Sequence, residues 1–187
     1  MHCATRLFVR WFHRTGAEAE QNGRDWIAAV NLVSKQEKSF VSHSHDQLYH
    51  AFLSWDDRWV VFKAAENWNH GRLLMAPVRD GVAGPESEWI AITDGLYADD
   101  KPQFSPDGNK IYFTSDRDGY LCLWAQRLNH VTRHPEGPPY VVQHFHDVMG
   151  WFMKSYNPFV VVLGVATDKI VTNLVEVHSD IWMMRLD

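Results

Sequence analysis

The sequence has little cysteine and no long apolar segment. Only two cysteines, Cys3 and Cys122, occur among its 187 residues, so we expect no disulfide framework of the kind that stabilises small secreted domains. Charged residues interrupt the apolar stretches before they reach the roughly 18 residues that a membrane-spanning helix needs. The first residues lack the apolar region of a signal peptide. We expect no membrane insertion and leave the compartment open; a periplasmic location would fit a fragment of an exported protein.

Basic charge and catalytic motifs are also scarce. Lysine and arginine together number 18 against 23 acidic residues, which gives a net charge of −5. Because no excess of cations is present to neutralise phosphates, we expect no nucleic-acid partner. The sequence contains no Gly-x-Ser-x-Gly nucleophile elbow, no glycine-rich phosphate loop and no His-Glu-x-x-His metal motif. These absences disfavour an enzyme without excluding one, and we expect no cofactor.

Apolar and aromatic residues are abundant instead. Hydrophobic residues make up 45% of the chain and aromatic residues 13%, which is enough to form a sizeable core. The many tryptophans and phenylalanines favour strands, because flat rings pack well on a pleated surface. The composition therefore predicts a globular, strand-rich protein.

One stretch, residues 104–119, has the local chemistry of a β-meander. Asp107-Gly108 supplies the positive φ angles of a tight hairpin turn after a short apolar strand. Residues 110–114 form the next predicted strand, and Asp118-Gly119 marks a second hairpin before residues 120–125. The sequence thus predicts three consecutive antiparallel strands in this stretch.

This pattern recurs along the chain. Residues 53–62 match residues 104–113 at an offset of 51, with Asp57 in place of the turn glycine. That replacement is tolerable because aspartate enters the left-handed region more readily than most residues. A six-residue third-strand pattern recurs with starts 46, 50 and 58 residues apart, at 27–32, 73–78, 123–128 and 181–186. A period of about 50 residues is typical of propeller blades.

The sequence Phe-Ser-Pro-Asp-Gly at 104–108, followed by Ile-Tyr-Phe-Thr-Ser-Asp-Arg-Asp-Gly at 111–119, resembles the repeat of TolB-like β-propellers. Residues 168–183 are similar to the closing blade of bacterial propellers with that repeat. The resemblance implies an all-β fold of about four β-propeller blades, with WD-like repeats, that form an incomplete ring of a larger propeller. The predicted blades of this single propeller region, residues 1–187, are 5–43 (partial), 44–95, 96–147 and 148–187.

Two short histidine motifs are the candidate metal ligands. His43-Ser44-His45-Asp46 and His144-Phe145-His146-Asp147 each lie in a predicted link between blades. Histidines at i and i+2 of an extended segment point to the same side, so each pair could present two imidazoles to one metal. The two links are separated by two blades, however, and polar links also use histidine and aspartate to hydrogen-bond turns. We therefore expect no metal to be held by His43, His45, His144 and His146.

Two tryptophans are the candidate binding residues. Trp55 takes the place of the turn proline, and Trp68 lies in a predicted hairpin loop. A tryptophan that protrudes from a turn often marks a contact surface. Trp59, Trp124 and Trp182 lie within the repeated strands, where we expect them to pack between blades.

The resemblance leaves the function open, because the same repeat serves binding proteins, peptidase caps, lyases and sensor domains. Without a catalytic motif, the favoured hypothesis is a non-catalytic module that binds a protein or peptide across the propeller face. The alternative is the propeller part of an enzyme, either a metal-dependent polysaccharide lyase or hydrolase that uses the histidine pairs, or the cap of a serine peptidase. Open strand edges of an incomplete ring would also favour self-association.

Overall fold

The computed structural model describes residues 7–12, 26–31, 33–43, 45–67, 70–145 and 162–173. Within these ranges the regular structure is β-strand, apart from one turn of 3₁₀ helix at Glu86–Glu88. The predicted all-β class is confirmed. In the same ranges no helix is long and apolar enough to cross a membrane.

The described strands form four antiparallel sheets, numbered in chain order. Sheet 1 has the order β1-β2-β3, which are Leu7–Phe12, Trp26–Asn31 and Glu37–Ser42. Sheet 2 has the order β4-β5-β6-β7, with β8 also paired to β6, and its strands are Gln47–Leu53, Trp59–Asn67, His70–Arg79, Val82–Ala83 and Ile90–Ala91. Sheet 3 has the order β9-β10-β11-β12, which are Asp100–Phe104, Lys110–Ser115, Cys122–Leu128 and Pro135–Gln143. Sheet 4 is the pair β13 and β14, Leu163–Val165 and Ile170–Thr172.

The sheets stack on one another in chain order. β4 contacts β1 on one side and β9 on the other, and β9 also contacts β13. The predicted meander is confirmed as β9, β10 and β11, to which β12 adds a fourth strand. The division of the chain into blades that end at residues 43, 95 and 147 stays a prediction.

The first hairpin turns of sheets 2 and 3 are built from the same hydrogen bonds. In each turn a serine hydroxyl donates to the aspartate two positions later, at 2.6 Å in both cases, and accepts the amide five positions later. The serines are Ser54 and Ser105. The left-handed residue is Asp57 in sheet 2, with φ 57°, and Gly108 in sheet 3, with φ 70°. The 51-residue repeat is therefore present in the turn hydrogen bonds, including the aspartate that replaces the glycine.

Among the described residues the core consists of two clusters, one on each side of sheet 2. Successive residues of β5 contribute in turn to the two clusters, because successive side chains of a strand point to opposite faces. Val60 and Phe62 pack toward sheet 1, and Val61 packs toward sheet 3. Each large apolar side chain that is buried completely stabilises the fold by roughly 1.5–3 kcal/mol. The other large members are Ile27, Phe40, Leu48 and Leu74 in the first cluster, and Leu73, Met75, Ile92, Phe104, Ile111, Phe113 and Leu128 in the second.

Two of the three tryptophans predicted for the core lie in the described ranges. Trp59 and Trp124 pack against the second cluster and are partly buried. The prediction is confirmed for these two, and Trp182 lies outside the described residues.

The ends of the strands define two faces. The turn face carries the first hairpin turns of sheets 2 and 3 and the loops after β2, β6 and β11, at residues 54–58, 105–109, 33–36, 80–81 and 129–134. Hydrogen bonds join these segments: the Val78 amide donates to Arg58 O and the Arg133 guanidinium donates to Gly108 O, both at 2.7 Å. The link face, at the other strand ends, carries residues 43, 45–46, 92–99 and 116–121.

Candidate functional site

Trp55 stands on the turn face with 62% of its surface exposed. It occupies the second position of the first hairpin turn of sheet 2, where the matching turn of sheet 3 has Pro106. The Asp57 amide donates to Ser54 O at 2.9 Å, which helps to fix the turn backbone. Because sheet 3 makes the same turn with a proline, the turn itself does not require a tryptophan. A binding role for Trp55 stays a prediction, and Trp68 lies outside the described residues.

A groove of about 710 Å³ opens beside this turn, between sheets 1 and 2. Residues of β2 and β3 line it on one side, and Asp57, Val78, Asp80 and Gly81 line it on the other. The Lys38 ammonium reaches across and donates to Asp80 O at 3.4 Å. The groove therefore combines two apolar side chains, Ala29 and Val78, with charged groups of both signs.

Two adjacent carboxylates lie next to Trp55. Burial raises the pKa of Asp57, and the charge of Asp56 raises it further. Burial also acts to raise the pKa of Asp56, but hydrogen bonds from the Ser54 hydroxyl and the Arg58 amide outweigh this effect and lower the pKa below its ordinary value. The pair thus concentrates negative charge that a cationic group of a partner would neutralise.

A second candidate site is buried between the inner strands of sheets 2 and 3. His50 Nδ1 lies 2.6 Å from Asp100 Oδ1, and Lys101 Nζ lies 2.7 Å from His50 Nε2. Because an ammonium group only donates, Nε2 of the imidazole accepts and Nδ1 donates its proton to the carboxylate. The fully buried Lys63 adds a further positive charge near Asp100.

His50 and Lys101 occupy equivalent positions, 51 residues apart, in β4 and β9. Both have left-handed backbone, with φ 46° and 52°, and each lies at a break in the register of its strand. A left-handed backbone conformation costs of order 1–3 kcal/mol at a residue other than glycine. It persists only where contacts with surrounding residues stabilise it. The Lys101 amide, for example, donates to Asp100 Oδ1 at 2.7 Å. Two irregularities of the inner strands therefore coincide with the contact between these side chains.

The charged groups of this cluster shift one another's pKa values. Burial acts to raise the pKa of Asp100, but the His50 hydrogen bond and the charges of Lys63 and Lys101 outweigh burial and bring the pKa to about 2. Burial lowers the pKa of Lys101, the charge of Asp100 opposes this effect, and the charge of Lys63 adds to it. We assign the cluster a structural role, because its charged groups are buried and bind one another across two sheets.

The candidate histidines of the first motif are placed in a turn. The His43 ring stacks on Trp89 with centroids 5.5 Å apart, and its Nδ1 accepts the Asp46 amide at 2.7 Å. His45 is exposed. These contacts match the turn-forming alternative, while the expectation that the four histidines hold no metal stays a prediction. His146 lies outside the described residues.

His144, of the second motif, lies on the link face beside Asp118 and Cys122. Its Nδ1 is 2.9 Å from Asp118 Oδ2. One ligand atom from each of the three residues lies within 4.8 Å of the other two. Burial raises the pKa of the Cys122 thiol, and the charge of Asp118 raises it further. The thiol is therefore protonated at neutral pH and is not an activated nucleophile.

Sequence reasoning missed both of these clusters. For the first, a usable signal was present, because the 51-residue offset aligns two polar residues, His50 and Lys101, at the same position of the inner strands. For the second, the sequence places Cys122 in a strand and Asp118 in a hairpin turn. Their approach to His144 depends on the pairing of β11 with β12, which local sequence does not specify.

No protein-family model matches the sequence, and no curated protein matches it significantly. Solved structures do match. TolB from Acinetobacter baumannii superposes with a TM-score of 0.51 and 18% identity over 66% of this chain. A structure from Agrobacterium tumefaciens described as a TolB superposes with a TM-score of 0.53 and 20% identity over 73% of this chain. A puromycin-hydrolyzing peptidase from Mycobacterium tuberculosis gives a TM-score of 0.50 and 14% identity over 65% of this chain.

These similarities concern the fold. The chain spans 27% of the Acinetobacter protein, 45% of the Agrobacterium protein and 18% of the peptidase. Antiparallel sheets stacked in chain order, with meander topology and a 51-residue repeat, agree with the superpositions. The expected TolB-like β-propeller fold is therefore confirmed.

Proposed function

We propose that this chain with a TolB-like propeller fold is a non-catalytic module that binds an extended peptide segment of a partner protein across its turn face. The observation that carries the proposal is Trp55, which is 62% exposed on a turn whose backbone is fixed by hydrogen bonds. Tryptophan offers a large contact area at a small cost in conformational entropy, and it is enriched among residues that dominate binding energy.

The surroundings of Trp55 indicate the chemistry of the peptide. An apolar or aromatic side chain would cover the indole ring, and a lysine or arginine would neutralise the charge of Asp56 and Asp57. The groove between sheets 1 and 2 continues from Asp57 to Asp80 and can accommodate the residues that follow. We therefore expect a segment that combines an apolar anchor with a basic residue.

The test is a selection of peptides from a random library on the purified chain, followed by fluorescence anisotropy with the selected peptides. Trp55→Ala should weaken binding at least about tenfold, the effect of a residue worth more than roughly 1.4 kcal/mol. The matched control is Leu96→Ala, because Leu96 is an apolar residue of the link face with 68% exposure. This control should bind the peptides like the unmodified chain.

A second substitution tests the role of charge. Asp57→Asn removes a carboxylate, and asparagine tolerates the left-handed backbone that this position has, with φ 57°. Affinity for peptides that carry a basic residue should fall, and its dependence on salt should become weaker. Equal affinity of Trp55→Ala and the unmodified chain, or the absence of any selected peptide, would overturn the proposal.

A further inference from the structure

Three segments of sheet 3 bring metal-ligating side chains together on the link face. Cys122 is the first residue of β11, and His144 directly follows β12. The register pairs Leu123 with Gln143, so the next positions outward are Cys122 and His144. The Phe145 amide donates to Cys122 Sγ at 3.4 Å, which holds the two chain segments against each other.

The third side chain comes from the hairpin between β10 and β11. Asp118 precedes Gly119, whose φ of 93° forms the turn, and its carboxylate lies 2.9 Å from His144 Nδ1. A hairpin turn, a strand start and a strand end thus supply one ligand each. All three belong to one hydrogen-bonded sheet, so their backbone positions are fixed relative to one another.

We propose that Asp118, Cys122 and His144 form a binding site for a divalent d-block cation, for which zinc is the best match. Thiolate, imidazole and carboxylate are the three ligand types that zinc takes in proteins, and the mixture of sulfur and nitrogen donors disfavours calcium and magnesium. Three protein ligands leave the fourth tetrahedral position to water or to a bound molecule.

The geometry needs a small adjustment to bind the ion. Zinc–ligand distances of about 2.0–2.3 Å correspond to ligand atoms roughly 3.3–3.8 Å apart in a tetrahedron, while the three atoms lie within 4.8 Å of one another. The His144 side chain is 48% exposed and that of Asp118 is 21% exposed. Both can therefore turn toward the buried thiol and leave a path for the ion.

The blade repeat does not explain the cysteine. The third-strand pattern aligns Leu123 with Leu73, so Arg72 is the counterpart of Cys122 in sheet 2. Arg72 forms an ion pair with Asp46 at 3.2 Å. The same position of the repeat therefore carries a cation in one sheet and a thiol in the next. The proposed site departs from the expectation of no metal at one of the four histidines, His144, and does not involve His43 or His45.

The experiment adds Zn²⁺ or Co²⁺ alone to the reduced, chelator-treated full chain. We expect one equivalent of Zn²⁺ in competition with a chromophoric chelator, and a thiolate-to-cobalt charge-transfer absorption with Co²⁺. Cys122→Ser should abolish that absorption and weaken Zn²⁺ binding by more than about 100-fold, since loss of an outer-shell partner alone costs 10–100-fold. Cys3→Ser, the same substitution at the other cysteine, should retain both properties.

A further variant guards against misfolding of the buried Cys122→Ser chain. His144→Ala changes a half-exposed side chain, so it should keep the far-ultraviolet circular dichroism of the unmodified chain while it loses high-affinity Zn²⁺ binding. The proposal is overturned if the cobalt absorption persists in Cys122→Ser, if it disappears in Cys3→Ser, or if a folded His144→Ala binds Zn²⁺ like the unmodified chain.

Discussion

Asp100 is ionised inside the structure because His50, Lys63 and Lys101 surround it. Asp100→Asn keeps the shape of the side chain but leaves two buried lysines next to a neutral amide. Breaking a buried ion pair in this way usually costs several kcal/mol, so we expect a loss of about 3 kcal/mol in the free energy of unfolding at neutral pH. Urea denaturation of the variant and of the unmodified chain measures this loss. Asp80→Asn, a substitution at an exposed aspartate, should change stability by much less.

The same carboxylate should make the fold sensitive to acid. Its pKa in the folded chain is about 2, below the ordinary value of 3.8. The ionised carboxylate therefore stabilises the fold fully at pH values above its ordinary pKa. This stabilisation, up to about 2 kcal/mol in the free energy of unfolding, is lost as the pH falls toward 2. Asp100→Asn should lack this part of the acid dependence. If the free energy of unfolding of the variant fell at acid pH as much as that of the unmodified chain, Asp100 would not interact with the surrounding charges as described.

At the scale of strands, β5 and β6 approach closely at Gly71. A Cβ atom at this position would lie 2.5 Å from Lys63 Cε and 2.9 Å from Ala65 Cβ. Lys63 is fully buried and cannot move away freely. We therefore expect Gly71→Ala to reduce the free energy of unfolding by about 1–3 kcal/mol through overpacking.

The matched control for this prediction is Gly164→Ala, which is also a glycine in a strand. The nearest atom to a Cβ there is Val171 O at 3.9 Å, an ordinary contact. Thermal unfolding of both variants separates steric overlap from the general effect of replacing a strand glycine. Equal changes in the two variants would mean that β5 and β6 can separate without cost.

Elements whose structure depends on neighbouring residues were predicted well. The turns at Ser54 and Ser105 close through hydrogen bonds that span five residues, so the Ser-x-Asp spacing in the sequence is sufficient to indicate them. The length of β12, Pro135–Gln143, was not predicted, because three prolines and a glycine in that segment weaken the local strand pattern.

At the scale of the whole molecule, we expect the strand edges to determine association. Within the described strands, β1 pairs with β2 alone and β14 pairs with β13 alone. Unpaired strand edges present amide and carbonyl groups that template pairing with other chains. We expect the isolated chain to self-associate, with a mass by light scattering that increases with concentration. A monomer whose mass stays constant across a dilution series would contradict this prediction.

The sequence by itself determined the strands, the hairpin turns and the repeat, because each rests on interactions among residues close in the chain. It also indicated Trp55, since a tryptophan in place of a turn proline is visible without a structure. Only the tertiary structure decided the two polar clusters. His50 meets Asp100 and Lys101 because sheets 2 and 3 stack, and His144 meets Cys122 because β12 returns along β11. These contacts join residues about 20 to 50 positions apart, and their geometry follows from sheet stacking and strand register rather than from local sequence.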